Sequence, residues 1–197
     1  MALMTNLDLM PCARLALSPL TPADLESVFG VYSDPKTWQH LPAGRHSSRE
    51  QSRQVIDGAI TSSREHGIGQ WALRVGVHGA DEALAAGTFI GTGGANMTPA
   101  LVWNLGYRLS PAAWGRGFAT EIARAAVTAV RAQNDSAAIT ARVLSNNPAS
   151  ARVAIRAGLN KVWEGQTTAS TQPGIKGEIF SDRDLERDAL RWLIENV

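Results

Sequence analysis

One segment constrains the fold of this chain more than any other, because its hydrophobic period changes across a pair of glycines. Residues 103–109 alternate apolar and polar side chains, which predicts a half-buried β-strand. Gly115 and Gly117 follow, and apolar residues then recur every three or four positions over 119–130, which predicts an α-helix. Free backbone N–H groups and the positive end of the helix dipole then meet at one point. The segment predicts an anion-binding turn, with Arg116 adding a positive charge.

The common nucleotide-binding motifs do not fit this turn. A P-loop requires Gly-x-x-x-x-Gly-Lys-[Ser/Thr], which the chain lacks. A dinucleotide-binding fingerprint requires a third glycine, where this chain has Thr120. It also requires an acidic residue about 20 positions further on, and residues 139–144 contain none. A nucleotide-dependent oxidoreductase is therefore the less favoured alternative, and a glycine turn without a ligand stays open on the glycines alone.

Composition limits the class of protein further. A chain of 197 residues is typical of one domain. The net charge of +1, from 19 Lys and Arg against 18 Asp and Glu, argues against a broad nucleic-acid-binding face. A single cysteine, Cys12, excludes an internal disulfide and a multi-cysteine metal site. No apolar run reaches about 18 residues, so we expect no membrane span and a cytoplasmic protein.

The remaining periodicities predict twelve elements in the order β-α-α-β-β-β-α-β-α-β-β-α. Because strands and helices mix without strict alternation, we expect an α/β or α+β domain with a mixed sheet. Helix starts are predicted at Thr21, whose capping box includes Asp24, and at Ser47 or Ser48. A Ser-x-x-Asp pattern over 181–184 predicts the last helix.

The domain boundaries follow from the same pattern. We expect a tail over residues 1–11, one domain over 12–183 and a terminal helix over 184–197. The pattern leaves open whether this helix packs on the sheet or forms a homodimer contact through Trp192.

Two linked motifs resemble a known family. Residues 105–121 read LGYRLSPAAWGRGFATE, and further along the chain Asn147-Pro148-Ala149-Ser150 precedes Ala157-Gly158-Leu159. Together they resemble the GNAT superfamily of N-acetyltransferases, and most of all its RimJ- and RimL-type branch of ribosomal-protein N-acetyltransferases. Two positions depart from the family pattern: Ala112 replaces a Gln or Arg, and Leu159 replaces an aromatic residue.

The resemblance implies a fold and a cosubstrate. It implies acetyl-CoA held between two splayed parallel strands, here residues 102–109 and 138–145, with no metal. It implies pantetheine on the first strand and pyrophosphate on the turn. The implied coenzyme-binding residues are Tyr107, Leu109, Trp114, Gly115, Arg116, Gly117, Phe118, Ala119, Thr120, Asn147 and Ser150.

The implied reaction is direct transfer of an acetyl group to a primary amine. The acceptor would be a small amine, an amino acid or a protein N-terminus, and neither a membrane nor nucleic acid is an implied partner. The alternative is a GNAT-like module that binds coenzyme A without turnover. That alternative stays open because Asn104 stands where many relatives carry an acid.

The resemblance also suggests residues for catalysis and acceptor binding. Ser150 is the candidate general acid for the leaving thiolate, with a helix-start serine as its structural alternative. Glu164 is the candidate general base, and a solvated strand glutamate is the alternative. Trp38, His40 and Trp103 are candidates for the acceptor pocket, and each tryptophan is equally well explained as a core residue.

Overall fold

The computed structural model describes residues 14–133, 136–167 and 173–196, and in these ranges seven strands form one sheet. The strands are β1 (Leu15–Pro19), β2 (Gln70–Val75), β3 (Phe89–Met97), β4 (Trp103–Leu109), β5 (Ile139–Leu144), β6 (Asn160–Gln166) and β7 (Lys176–Ser181). The helices are α1 (Leu25–Tyr32), α2 (Arg49–His66), α3 (Phe118–Ala132), α4 (Pro148–Arg156) and α5 (Arg187–Glu195). The predicted tail over 1–11 and Cys12 lie outside the described residues.

The sheet has the order β1-β2-β3-β4-β5-β7-β6, and its one parallel pair lies at the centre of the described strands. That pair, β4 and β5, is in register only at Trp103 with Ile139 and at Asn104 with Thr140. Both strands continue for several residues beyond these pairs without meeting. The predicted mixed sheet with splayed central strands is therefore confirmed.

Each face of the sheet carries its own helices. Helices α3 and α4 cover the face that holds Tyr107, and we call this the α3 face. On the opposite face, α1 and α2 pack on β2 around Ile56 and Ala72. Helix α5 packs over β7 through Ile179 and Leu193, which are fully buried. The terminal helix therefore packs on the sheet, which was one of its two predicted roles.

Strand register shows that α1, α2 and α5 lie on the same face. Ala72, beneath α1, shares this face with Arg108 through the β2–β3–β4 pairing. Asn104 lies on the same face, and the parallel pairing extends the face to Arg142 of β5. Arg142 in turn pairs with Ile179 beneath α5. This face, which we call the α1 face, thus has helices at both sides and the β4–β5 boundary between them.

Most predicted boundaries agree with the structure, and the exceptions have physical causes. Capping boxes begin the first helical segment at Thr21 and begin α2 at Ser48. The last helix begins at Arg187, several residues later than predicted. Asp182 instead continues the pairing with β5, because its backbone N–H and its carboxylate both bond the backbone of Ile139. Tertiary pairing there overrides a local capping signal.

A search of the described ranges gives two further results. No helix there is long and apolar enough to cross a membrane. No group of three or more His, Cys, Asp or Glu side chains within those ranges could hold a metal ion.

Candidate functional site

The divergence of β4 from β5 opens a gap in the middle of the sheet. β4 pairs with β3 along its whole length, so its backbone is held straight on one side. Past Asn104 its other edge pairs with no described strand, and N–H and C=O groups of residues 105–109 are left facing the gap. An exposed strand edge binds an extended chain-like ligand through main-chain hydrogen bonds. The gap is therefore suited to a linear ligand that carries amide groups.

The glycine turn lies where β4 ends, at the wide end of the gap. Gly115 and Gly117 have φ values of +74° and +80°, a left-handed conformation that favours glycine. Within the described residues, the N–H groups of Gly115, Arg116 and Gly117 have no hydrogen-bond acceptor. Gly117 is also the N-cap of α3, whose dipole adds partial positive charge. The turn therefore presents a cradle of free donors suited to an anion such as a pyrophosphate.

The side chain of Arg116 does not provide the free charge that the sequence predicted. Its guanidinium forms an ion pair with Asp81 and donates to the carbonyl of Ala112. The hydrogen bond from Arg116 lowers the pKa of the Asp81 carboxyl. The anion-binding character of the turn therefore rests on its backbone.

Arg14 is a residue at this turn that sequence reasoning missed. It donates from Nη1 to the carbonyl of Arg116 at 2.8 Å and from Nε to Glu121 Oε2 at 3.0 Å. Its guanidinium also lies 5.0 Å from the centre of the Phe118 ring. Arg14 thereby ties β1 to the turn and to the first turn of α3. The partners are more than 100 positions apart in the chain, so no local pattern signals the contact.

Two hydroxyl groups meet across the gap on the α3 face. Tyr107 Oη donates a hydrogen bond of 3.0 Å to Ser150 Oγ. Asn147 caps α4, since its side chain accepts from the backbone N–H of Ser150. Burial raises the pKa of Tyr107, which keeps its hydroxyl protonated. Because Ser150 Oγ accepts from Tyr107, its own proton is free to be donated to a ligand in the gap.

The segment between α1 and α2, residues 33–48, contacts the ends of both splayed strands on the α1 face. Arg108 of β4 donates to the carbonyl of Thr37 and lies 3.5 Å from His40 Nε2. Asn146, just past β5, donates from Nδ2 to the carbonyl of His40 at 3.0 Å. The segment thus bridges the two strands where they are farthest apart, and His40 lies at that bridge.

Comparison with known proteins identifies the family. The family model described as an acetyltransferase (GNAT) domain matches residues 14–160, about three quarters of the chain. The chain belongs to the GNAT acetyltransferase family. Acetyl-CoA-dependent acyl transfer is the activity of that family, and the match covers the gap, the glycine turn and α4.

Solved structures support the fold of this GNAT domain. One is a GnaT-family acetyltransferase from Bordetella pertussis, with a TM-score of 0.68, 17% identity and coverage of 88% of this chain and 98% of that chain. Another is an acetyltransferase from Agrobacterium tumefaciens, with a TM-score of 0.65, 22% identity and coverage of 87% and 91%. A third is RimL, the ribosomal L7/L12 α-N-protein acetyltransferase, in complex with coenzyme A, with a TM-score of 0.65, 16% identity and coverage of 87% and 96%.

Two predicted acceptor-pocket residues of this GNAT domain prove to be core residues. Trp103 is completely buried in the main core. Trp38 is 8% exposed, donates from Nε1 to the carbonyl of Tyr32 and packs against His46. The Arg108 guanidinium covers the Trp38 ring at 3.5 Å. Burial favours the packing role that the sequence left open for both tryptophans, and of the three candidates only His40 reaches the end of the gap.

Glu164 is not suited to act as the general base. It lies on β6, which β7 separates from β5 and from the gap. Hydrogen bonds from Lys161 and Lys176 lower its pKa to about 2. A carboxylate with so low a pKa holds a proton too weakly for base catalysis near neutral pH. Position and pKa therefore favour the alternative role for Glu164, that of a solvated strand glutamate.

His40 predicts a measurable dependence of stability on pH. Burial, with the neighbouring Arg108 cation, lowers the pKa of His40 from 6.5 to about 4. Between these values the unfolded chain binds a proton that the folded protein does not, so stability falls as pH drops from about 7 to 4. We expect His40 to contribute about 1–2 kcal/mol to this loss of stability. This is less than its full pKa shift would give, because the ring is only partly buried.

Urea unfolding of wild type and His40→Gln at several pH values measures this contribution. The variant should show a flatter loss of unfolding free energy between pH 7 and 4.5. His78→Gln, in an exposed turn, is the matched control and should keep the wild-type slope. Equal slopes for wild type and His40→Gln would contradict a buried, neutral His40.

Proposed function

We propose that this protein transfers the acetyl group of acetyl-CoA directly to a primary amine. The observation that carries the proposal is the parting of β4 from β5 directly before the glycine turn. The free edge of β4 over 105–109 is suited to the amide groups of pantetheine. The donors of residues 115–117 are suited to the pyrophosphate. The amine acceptor would enter from the α1 face, where the gap lies between α1 and α5.

The chemistry requires three contributions at the gap. Acetyl-CoA supplies the acetyl group as a thioester, so a C–N bond forms to the amine while the C–S bond breaks. Unpaired backbone N–H groups of β4 are suited to stabilise the negative charge that develops on the carbonyl oxygen. Ser150 Oγ, which accepts a hydrogen bond from Tyr107 Oη, is suited to donate its proton to the departing thiolate and to regain one from Tyr107, which water reprotonates. The amine loses one proton during the reaction.

Water is the proposed acceptor of that amine proton. Asn104 on β4 carries no acidic group. Glu164 lies away from the gap on β6, and its pKa is too low for a general base. His40 at the end of the gap stays neutral near pH 7, but a conjugate acid with a pKa of about 4 makes it a poor base. The amine therefore has to reach the thioester in its neutral form, and kcat/KM should rise with pH toward the pKa of the acceptor amine.

The RimJ- and RimL-type branch is the more specific part of the proposal. It is supported by the two sequence motifs over residues 105–121 and 147–159. The likeness to RimL at 16% identity supports the fold and leaves the acceptor to experiment. Protein N-termini, amino acids and small amines are all acceptors to be tested.

A thiol-release assay tests the proposed function. Release of free coenzyme A is measured with peptides carrying N-terminal Ser or Ala, free amino acids, polyamines and aminoglycosides as acceptors. We expect at least one class to raise release well above hydrolysis. Acetyl-CoA binding with no release above hydrolysis for any acceptor would instead favour a coenzyme A-binding module without turnover.

A further inference from the structure

We propose that the acceptor carries an anionic group, a carboxylate or a phosphate, in addition to its amine, and that Arg142 and Arg108 bind this group. The inference rests on the proposed function, because it assigns the acceptor side of the same gap. It names a chemical class of acceptor for this chain, which its membership of the GNAT family leaves open.

The two arginines lie on either side of the gap, on the face from which the amine would enter. Arg108 lies near the end of β4, and Arg142 lies in the middle of β5. Strand register places both on the α1 face, between α1 on the β4 side and α5 on the β7 side. The segment carrying His40 closes the wide end of this cleft. A molecule approaching the thioester through the cleft would therefore pass Arg108 on the β4 side and Arg142 on the β5 side.

Arg142 is held in the cleft by neutral groups. Its Nε donates to Asn104 Oδ1 at 3.4 Å, and its Nη1 donates to the carbonyl of Asn196. The guanidinium also lies 5.5 Å from the ring of Trp192 of α5. Burial lowers the pKa of Arg142. The side chain is thus positioned and partly desolvated, yet it has no carboxylate partner among the described residues.

Arg108 shows the same pattern more strongly. It donates to the carbonyl of Thr37 and covers the ring of Trp38. Its Nε is buried and has no hydrogen-bond partner within the described part of the chain. Asn146 Oδ1, close by on the β5 side, is a buried acceptor that is also unpaired there. Buried polar atoms are nearly always satisfied, so these two atoms show that the protein alone leaves polar groups unpaired beside the segment that carries His40.

Other partly buried arginines of this chain show what a purely structural arginine looks like here. Arg74 forms an ion pair with the buried Asp24 at 2.6 Å. Arg14 pairs with Glu121, and Arg131 pairs with Asp182. Each of these three has a carboxylate that offsets the cost of taking its charge out of water.

The absence of such a carboxylate at the cleft has an energetic consequence. Two desolvated guanidinium groups without a counter-charge raise the free energy of the empty cleft, and an anion placed between them lowers it. Arginine is also the side chain best matched to the geometry of carboxylate and phosphate oxygens. The cleft therefore complements a molecule with an amine and an acid group.

Matched acceptor pairs test the inference in the full-length protein with saturating acetyl-CoA. α-Amino acids are compared with their carboxamides, and phosphoethanolamine is compared with ethanolamine, so that carboxylate and phosphate are distinguished. We expect the acid member of at least one pair to have a kcat/KM at least tenfold higher than its neutral partner. Arg142→Gln should lower kcat/KM for that acid acceptor by about 30-fold or more. It should change kcat/KM for the neutral partner by less than about threefold.

Two further variants act as controls. Arg142→Lys keeps the charge and should retain more activity on the acid acceptor than Arg142→Gln. Arg191→Gln, an exposed arginine on α5, should behave as wild type. A preference for neutral amines in wild type would overturn the inference while leaving the acetyl-transfer function intact. An equal loss on acid and neutral acceptors in Arg142→Gln would overturn it as well.

A binding measurement covers the case in which no acceptor is acetylated, which would be a failure of the proposed function. Arginine Nε–H signals of ¹⁵N-labelled protein, with coenzyme A present, are followed by NMR as acetate or inorganic phosphate is added. Saturable shifts of the Arg142 and Arg108 signals, without a shift of the Arg191 signal, would support the anion site. The shift of the Arg108 signal should also be lost in Arg142→Gln. No saturable shift at either arginine would overturn it.

Discussion

Gly117→Val is expected to raise the Kd for acetyl-CoA by about 100-fold or more, which corresponds to about 2.7 kcal/mol. A Cβ at this position lies 3.4 Å from Arg14 Nη2, and a valine side chain beside the free N–H groups of residues 115–117 is expected to obstruct a phosphate bound to them. A phosphate would lose several charge-assisted hydrogen bonds, each worth about 1.5–3 kcal/mol. Isothermal titration calorimetry with acetyl-CoA measures the change.

Backbone strain alone must be separated from loss of the cradle, because Gly117 has a positive φ. Gly158→Val is the matched control: Gly158 has a φ of +96°, a Cβ there meets nothing within 4 Å, and it lies at the opposite end of α4 from Ser150. It should lose stability but keep its affinity for acetyl-CoA. Circular dichroism checks that both variants fold. An unchanged Kd in a folded Gly117→Val would remove the glycine turn from the account.

Ser150→Ala is expected to lower kcat by up to about 100-fold while leaving the KM for acetyl-CoA nearly unchanged. The substitution removes the proposed proton donor to the thiolate. It keeps the cap of α4, because Asn147 Oδ1 accepts from the backbone N–H of Ser150 and not from its hydroxyl. The melting temperature should therefore stay near the wild-type value.

Tyr107→Phe tests the hydrogen-bonded pair of Tyr107 and Ser150 through its donor, since it removes only the hydroxyl that donates to Ser150. We expect a smaller fall in kcat than in Ser150→Ala, and a double variant no slower than Ser150→Ala alone, because the two hydroxyls act as one unit. Steady-state kinetics at several acetyl-CoA concentrations separates kcat from KM. Wild-type kcat with a reduced melting temperature in Ser150→Ala would make the serine structural and leave protonation of the thiolate to water.

Local sequence signals predicted the strands, the helices and the glycine turn, because each of these structures depends on residues that are neighbours in the chain. The alternation over 103–109 placed Tyr107 and Arg108 on opposite faces of β4, as observed. The positive φ values at Gly115 and Gly117 match the need for glycine in the turn. The cap at Asn147 agrees with its propensity for that position.

The parts that the sequence did not reveal depend on contacts between distant residues. Arg14 reaches Glu121 only because β1 and α3 pack together, and Arg116 is neutralised by Asp81 from another loop. Trp38 is a core residue because Arg108 covers it, and this partner lies 70 positions away. Glu164 is kept from the gap by the position of β6 beyond β7, and Lys176 on the neighbouring strand adds to the lowering of its pKa by the nearby Lys161. Such pairings arise from the sheet order, which no local period encodes.

Hydrogen–deuterium exchange with and without acetyl-CoA tests the central claim most directly, because it shows where the cosubstrate binds without requiring a known acceptor. Binding of acetyl-CoA in the β4–β5 gap should slow exchange in residues 105–109, in the glycine turn over 114–120 and at the start of α4 around Ser150. Gly117→Val should lose this protection at the same acetyl-CoA concentration. Protection confined to other parts of the sheet, or no protection at saturating acetyl-CoA, would contradict binding of the cosubstrate in the β4–β5 gap.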